Sequence, residues 1–435
     1  MNKETIQEET NFSSPLGARG SIEIMAPAGS WESLSAAIKA GANSVYFGIE
    51  NLNMRSRSSN NFTTDDLKEI VRICNEADIK SYLTINTVIY DNDLSLLFKI
   101  VDVAKESGVS AIIAADVAVM AYTRQQGVEV HLSTQLNIAN VEALKFYAQF
   151  ADVVVLAREL NMDQVAAIYK EIVEQQIKGP KGELIRIEMF CHGALCMAVS
   201  GKCYLSLHEK NYSANRGACM QICRRGYIVK EKDSDMELEV DNEYIMSPKD
   251  LKTIHFLNKL LDSGVRVLKI EGRARGAEYV NTVVSCYGEA IQAYLDDTYS
   301  EEKVADWDNR LKRVFNRGFW DGYYLGQRLG EWTSKYGSEA TVKKVYIGKC
   351  TNYFVKSGVA EFLIETYDLN KGEDIVITGS TTGAYEAKSD EIRLDGCSVE
   401  KAVKGDVISI AVTERIRRND KLFKWVDASL VKDSQ

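Results

Sequence analysis

A chain of 435 residues, 45% hydrophobic and 26% charged, has the length and balance of a globular protein of two or three domains. Its net charge of −9 argues against a surface that coats nucleic acid all over, while leaving room for a local basic patch. No apolar run is long enough to cross a membrane, and nine cysteines, an odd count in a long chain, argue against a secreted disulfide framework.

Residues 1–20 are polar and lack the apolar core of a signal peptide, so they read as a flexible leader of a cytoplasmic protein. From Ile22 short Val/Ile/Tyr-rich runs alternate with longer amphipathic segments. The strand candidates are Ile22–Ala26, Ser44–Gly48, Ser81–Asn86, Ala111–Ala115, Glu129–Ser133, Val153–Ala157, Ile185–Phe190 and Arg266–Ile270. Between them lie helical stretches such as Trp31–Lys39, which Ser30 can cap and Gly41 can end, and Asp65–Ala77. Eight such units over residues 21–300 predict an α/β fold, a (β/α)8 TIM-like barrel rather than an open doubly wound sheet. The first loop reads P-A-G-S and lacks G-x-G-x-x-G, which weakens a dinucleotide-binding reading.

Candidates seven and eight are separated by roughly 75 residues, an insertion that the fold would place on the C-terminal face, where its active sites lie. This insertion, 191–245, holds Cys196, Cys203, Cys219 and Cys223 in a Gly-, Ser-, Asn- and Arg-rich context, with Cys191 just before them. A thiolate-bound metal centre is the simplest account of so many cysteines in so irregular a segment. The C-x6-C-x15-C-x3-C spacing departs from zinc knuckles at its first pair, whereas iron–sulfur clusters tolerate wider spacing; unrelated buried thiols are a further alternative. Cys74, Cys286, Cys350 and Cys397 sit singly in apolar patterns and read as fillers. Lys202, Lys210, Arg216, Arg224, Arg225 and Lys230 make the same segment basic, either as an RNA-facing patch or as a solvated loop.

Polar residues end the strand candidates: Asn86, Asp116, Gln135, Arg158 with Glu159, Glu188, and Lys269 with Glu271 and Arg273. Any one of them could be a cap or a loop residue, but a ring of them is how a barrel builds chemistry. Arg158, Lys269 and Arg273 could grip a small dicarboxylate, or pair with Glu159 and Glu271 instead. Glu188 and His192 are candidates for proton transfer, beside Lys269 and Glu271 as catalytic residues. Arg216, Arg224 and Arg225 are the arginines of the basic patch, which an RNA-facing reading would set against phosphates.

Tyr279–Asp296 reads as a long helix, followed by an acidic segment, Asp297–Asp308. Residues 301–338 form a helical and aromatic linker, with N-R-G-F-W-D-G-Y-Y-L-G as a stretch that docks on the barrel or stacks bases. Residues 339–415 alternate with turns at Lys371-Gly372, Thr382-Gly383 and Lys404-Gly405 and predict a small β-barrel, with a charged tail at 416–435. Hydrolase signals fail: H-E-x-x-H has Tyr212 in place of its second histidine, no G-x-S-x-G occurs, and Cys191 and His192 would point to opposite faces of a strand.

The stretch E-M-F-C-H-G-A-L-C-M-A-V-S-G-K-C-Y-L-S, Glu188 to Ser206, resembles the signature of peptidase family U32, the collagenase-like protease family. A-P-A-G at Ala26–Gly29, A-R-E-L at Ala157–Leu160, S-P-K-D-L at Ser247–Leu251, K-I-E-G-R at Lys269–Arg273 and N-R-G-F at Asn316–Phe319 fit the same family. The family label implies proteolysis, yet some of its branches are similar to oxygen-independent hydroxylation proteins that carry a [4Fe-4S] cluster on four cysteines. That resemblance implies Cys196, Cys203, Cys219 and Cys223 as the ligands. A barrel followed by one small β domain most resembles the tRNA hydroxylation protein P branch. It implies 5-hydroxyuridine formation in the tRNA anticodon loop, with prephenate as hydroxyl donor. The competing expectations are a peptidase and an RNA-binding scaffold with a structural cluster.

Overall fold

The computed structural model describes residues 22–50, 52–56, 61–227, 244, 246–327 and 329–430. The expected leader, Lys230 and part of the insertion lie outside the described residues. Eight parallel strands close into a barrel: β1 (Glu23–Pro27), β2 (Ser44–Phe47), β3 (Lys80–Ile85), β4 (Ala111–Ala114), β5 (Glu129–Leu132), β6 (Val153–Val155), β7 (Arg186–Gly193) and β8 (Val265–Ile270). Each pairs with the next, and β8 closes the ring on β1, with Glu23 opposite Val267. The predicted (β/α)8 architecture is therefore the observed one.

Period-two alternation divides the strand residues between two cores. Met25, Tyr46, Tyr82, Ile113, Val153 and Val267 fill the barrel interior. Their neighbours, among them Ile24, Val45, Leu83 and Ile112, pack outward against the helices. These include α1 (Trp31–Lys39), α2 (Asp66–Glu76), α3 (Leu94–Ser107), α4 (Val117–Gln125), α5 (Val141–Ala148) and α6 (Met162–Glu174). The Ser30 hydroxyl caps α1 by accepting from the Ser33 amide at 3.2 Å, and Gly41 beyond its end has φ +86°.

The insertion contributes α7 (Leu205–Lys210), and just past it a short strand, Asp250–Lys252, runs antiparallel to the end of β7 and parallel to Phe319–Trp320. It is followed by α8 (Leu257–Asp262), and β8 leads into α9 (Ala277–Leu295). The linker expected to be helical and aromatic opens with α10 (Glu301–Arg313), whose N-terminal glutamates and C-terminal basic residues suit the helix dipole. The aromatic stretch docks on the barrel: Trp320 and Tyr324 are buried, and Tyr324 donates to the Phe190 carbonyl at 3.0 Å.

The C-terminal unit is an eight-stranded antiparallel sheet around its own core, built on the long strand Val342–Phe354. Gly372, Gly383 and Gly405 all take positive φ at the expected turns. The segment beyond Arg415, expected as a charged tail, contributes Lys421–Asp427, which pairs with both Val342–Phe354 and Asp374–Gly379. The strand is charged at its ends, Lys421 and Asp427, but apolar within: Leu422 is buried, and Lys424 is buried with Asp368 and Glu373 as counter-charges. The unit sits on α1, where a Cβ at Gly383 would lie 2.7 Å from the Ala36 nitrogen, and Phe423 and Trp425 pack against the barrel's core. Among the described residues no helix is long and apolar enough to cross a membrane.

Candidate active site

At the C-terminal ends of the barrel strands lies a cleft of about 160 Å³. A cavity of about 150 Å³ takes up a benzene ring, so this volume suits one ring-sized molecule. Its wall carries Arg55, Arg158, Arg224, Lys269 and Arg273 against a single acid, Glu271. The excess of cations favours an anionic occupant.

Lys269 projects inward from β8 and meets Glu188 of β7 at 2.7 Å; both are buried. Lys269 also lies 4.8 Å from the Tyr46 ring centroid and 5.6 Å from that of Phe190. The second oxygen of Glu188, Oε2, has no hydrogen-bond partner. Glu271 pairs with Arg55 at 3.0 Å. Burial would raise the Glu271 carboxyl, but Arg55, Arg158 and Arg273 together hold it below the usual range.

Arg273 donates to Asn53 Oδ1 at 3.0 Å and Thr84 Oγ1 at 3.1 Å, and burial pulls its pKa down to about 10. Gly48 makes room for it: a Cβ there would stand 2.6 Å from Arg273 Nη1. Arg158 stacks 3.7 Å above the Phe190 ring and donates to the Ala194 carbonyl at 3.3 Å. Asn86 and Gln135 line the cleft and are joined through the Ser133 hydroxyl.

Three sequence-derived candidates are placed elsewhere. His192 is buried among the rings of Tyr279, Tyr287 and Phe319, because a register shift after Phe190 turns it toward the outer layer. Burial first, and Lys252 second, drive its pKa to about 3, so it stays neutral and away from the cleft. Asp116 is the cap of α4, accepting from the Ala118 amide at 2.9 Å and from the Ile89 amide at 3.0 Å. Glu159 is exposed and lies off the cleft wall. Neither Arg158–Glu159 nor Arg273–Glu271 is an ion pair among the described residues; the pairing partner of Glu271 is Arg55.

The basic patch of the insertion is also largely spent. Arg216 pairs with Asp93, with Nη2 to Oδ1 at 3.1 Å, and stacks on Tyr90. Arg224 is buried, donating to the Pro248 and Leu195 carbonyls at 2.6 Å and to Ser247 Oγ at 3.3 Å, so it clamps the insertion rather than meeting a ligand's phosphate from solvent. Arg225 is exposed and pairs with Glu209 at 2.7 Å.

The four spaced cysteines gather at the rim. Cys196, Cys219 and Cys223 line the cleft. Burial pushes the Cys223 thiol up to about 11, Arg224 opposes, and Cys196, Cys219 and Cys203 each add to the rise. Gly217 holds this arrangement: it has φ +86°, and a Cβ there would stand 2.1 Å from Ser56 Oγ on the loop after β2. Among the described residues no three such side chains close around a single metal ion. A zinc site needs its sulfurs about 2.3 Å from one centre, whereas a cubane cluster takes each thiolate on its own iron and keeps them farther apart. Four thiols and no imidazole or carboxylate make a donor set of the chemistry that iron–sulfur clusters use. Cys191 is buried beside the Lys269 carbonyl, Cys74, Cys286 and Cys350 are buried as expected, and Cys397 is exposed on an edge hairpin, contrary to its reading as a core filler.

Arg55, Tyr46, Thr84 and Phe190 were not singled out by sequence reasoning, yet they line the cleft. Arg55 lies in the irregular stretch after β2, without periodicity; the one available signal was that this strand's C-terminal loop had contributed no residue to the ring.

A sequence profile of peptidase family U32 matches residues 29–334. A protein named collagenase from Porphyromonas gingivalis is 66% identical over 404 residues, covering 93% of this chain and 98% of the relative. The tRNA hydroxylation protein P1 of Bacillus subtilis is 35% identical over 326 residues, covering 72% of this chain and 74% of the relative. The 23S rRNA 5-hydroxycytidine C2501 synthase of Escherichia coli is 31% identical over 317 residues, covering 71% of this chain and 46% of the relative.

Proposed function

The chain belongs to peptidase family U32, and on that premise we propose that it hydroxylates a uridine of tRNA at the wobble position. A [4Fe-4S] cluster on Cys196, Cys203, Cys219 and Cys223 and a dicarboxylate hydroxyl donor of the prephenate kind complete the proposal. The observation that carries it is the meeting of three thiols, Cys196, Cys219 and Cys223, with an excess of cations on the wall of one ring-sized cleft. When bound, the cluster supplies redox capacity at the cleft rim.

The chain's own groups have separate tasks. Arg158, whose charge is balanced by no ion pair among the described residues, offers a guanidinium edge to a carboxylate, and Arg273, held by Asn53 and Thr84, adds a second cation to the same wall. Glu271, held ionised by Arg55, can accept the proton that leaves the ring carbon. Phe190 and Tyr46 give the ring an apolar floor.

Peptide hydrolysis is the second reading, favoured by the name of the Porphyromonas gingivalis relative. Against it, none of the four histidines lines the cleft, so no Ser–His or Cys–His pair exists there. The deciding experiment compares tRNA nucleosides by mass spectrometry in a deletion strain complemented with wild type or Arg158→Gln. Loss of 5-hydroxyuridine derivatives on deletion, rescue by wild type and failure of the variant, with about four iron retained per chain, are expected. Unchanged nucleosides, together with peptide cleavage by an iron-free protein, would return the peptidase reading.

A further inference from the structure

Beside the cleft lies a second chamber of about 600 Å³ that shares Arg55, Gln221, Arg224 and Glu271 with it as a common wall. Its far side is built from Arg275, Arg317, Phe315 and Tyr336, with Arg225 at the edge. Arg275 lies 3.5 Å above the Phe315 ring, and Arg317 lies 5.1 Å from the same centroid. Arg317 has a counter-charge in Asp250 at 3.4 Å. Among the described residues the Arg275 guanidinium makes neither an ion pair nor a hydrogen bond: it rests on Phe315, and Asp250 acts on it only at longer range. The one acid on the wall, Glu271, is already paired with Arg55. Tyr336 stands at the mouth with 68% of its surface exposed.

Crowded guanidiniums short of counter-charge, stacked on one aromatic face and open to solvent beside a second, make a site for a phosphodiester with a base next to it. We propose that this chamber is the subsite for the nucleotide flanking the reacting one in a single-stranded RNA. Arg275, supported by Arg317, takes the phosphate, and Tyr336 stacks the neighbouring base. The shared wall lets one strand enter both spaces at once. This inference rests on the RNA reading of the cleft and adds to it the residues that hold the strand.

The test is fluorescence anisotropy of a labelled oligouridylate with the full-length, cluster-loaded protein. Arg275→Gln should weaken binding about tenfold and reduce the slope of log affinity against log salt by about 0.7, the value for one phosphate contact in a single strand. Tyr336→Ala should weaken it about tenfold with little change in slope, as expected for loss of one stacked base. Replacing one linkage by a neutral methylphosphonate should cost wild type the same factor and cost Arg275→Gln nothing further. The wild-type half of this arm needs no altered protein and does not depend on how the variants fold. If wild type binds the RNA but neither the substitutions nor the neutral linkage matter, the subsite is refuted while the RNA reading survives. If wild type binds no oligouridylate and the nucleoside comparison is also negative, both fall together.

Discussion

Lys269 and Glu188 face each other at 2.7 Å with side chains only 7% and 0% exposed. Removing one partner of such a pair strands the other charge in the interior, at a cost of about 3–5 kcal/mol. Lys269→Ala is therefore expected to lower the urea midpoint strongly, while Lys269→Met combined with Glu188→Leu recovers most of the loss. A fully additive double variant in the denaturation curves would contradict the pairing. The same argument makes Arg158 the cleaner residue for testing chemistry, since its guanidinium holds no buried carboxylate. Both Lys269 and Glu188 stood out as polar strand ends, but nothing local shows that residues 81 apart form a pair. The contact exists only because β7 and β8 are neighbours in a closed ring.

Elements decide which strand-end residues face the cleft. Asp116 has the sequence signature of both a site residue and a helix cap, and the backbone of α4 makes it the cap. Asp116→Ala should cost about 1 kcal/mol in thermal or chemical unfolding and leave hydroxylated nucleoside yield unchanged. A lost product with an unchanged melting temperature would place Asp116 in the site after all. His192 shows the opposite lesson. It follows Phe190 by two positions and should share its face, yet the irregular register there sends the two to different layers. No pattern in the residues marks that irregularity. The insertion is similar: its glycines were visible as loop formers, but only the close approach of Gly217 to Ser56 shows what the loop docks on.

Across the whole molecule, the floor of the barrel opposite the cleft is tied together by Glu23. It accepts from Ser44 at 2.8 Å and Tyr82 at 2.7 Å, and pairs with Arg186 at 3.1 Å and Lys80 at 3.3 Å, spanning β1, β2, β3 and β7. Burial alone would raise this carboxyl, but Arg186, Lys80 and the two hydroxyls overcome it and hold the pKa near about 2. The folded value lies below the unfolded one, so the contribution is complete above about pH 4.5 and is lost as pH falls toward about 2. The expected size is about 3 kcal/mol. Acid titration followed by circular dichroism should show Glu23→Gln less stable than wild type at neutral pH and less sensitive to acid over that window. Parallel curves for the two proteins would remove Glu23 from the account.

Periodicity by itself determined the eight-fold strand–helix alternation, the C-terminal antiparallel unit and the position of the cysteine-rich insertion, because these depend on patterns within a few residues. The quoted signature determined the family, because Glu188 to Ser206 is one contiguous stretch. Tertiary structure alone decided that Arg55 enters the cleft, that His192, Asp116 and Glu159 do not, and that Arg216 and Arg224 are committed to protein partners. It also decided that Arg275 and Tyr336 come to stand beside the same wall. Each of those outcomes turns on ring closure, strand register or the docking of a loop, which bring together groups tens to hundreds of residues apart and leave no mark on either local segment.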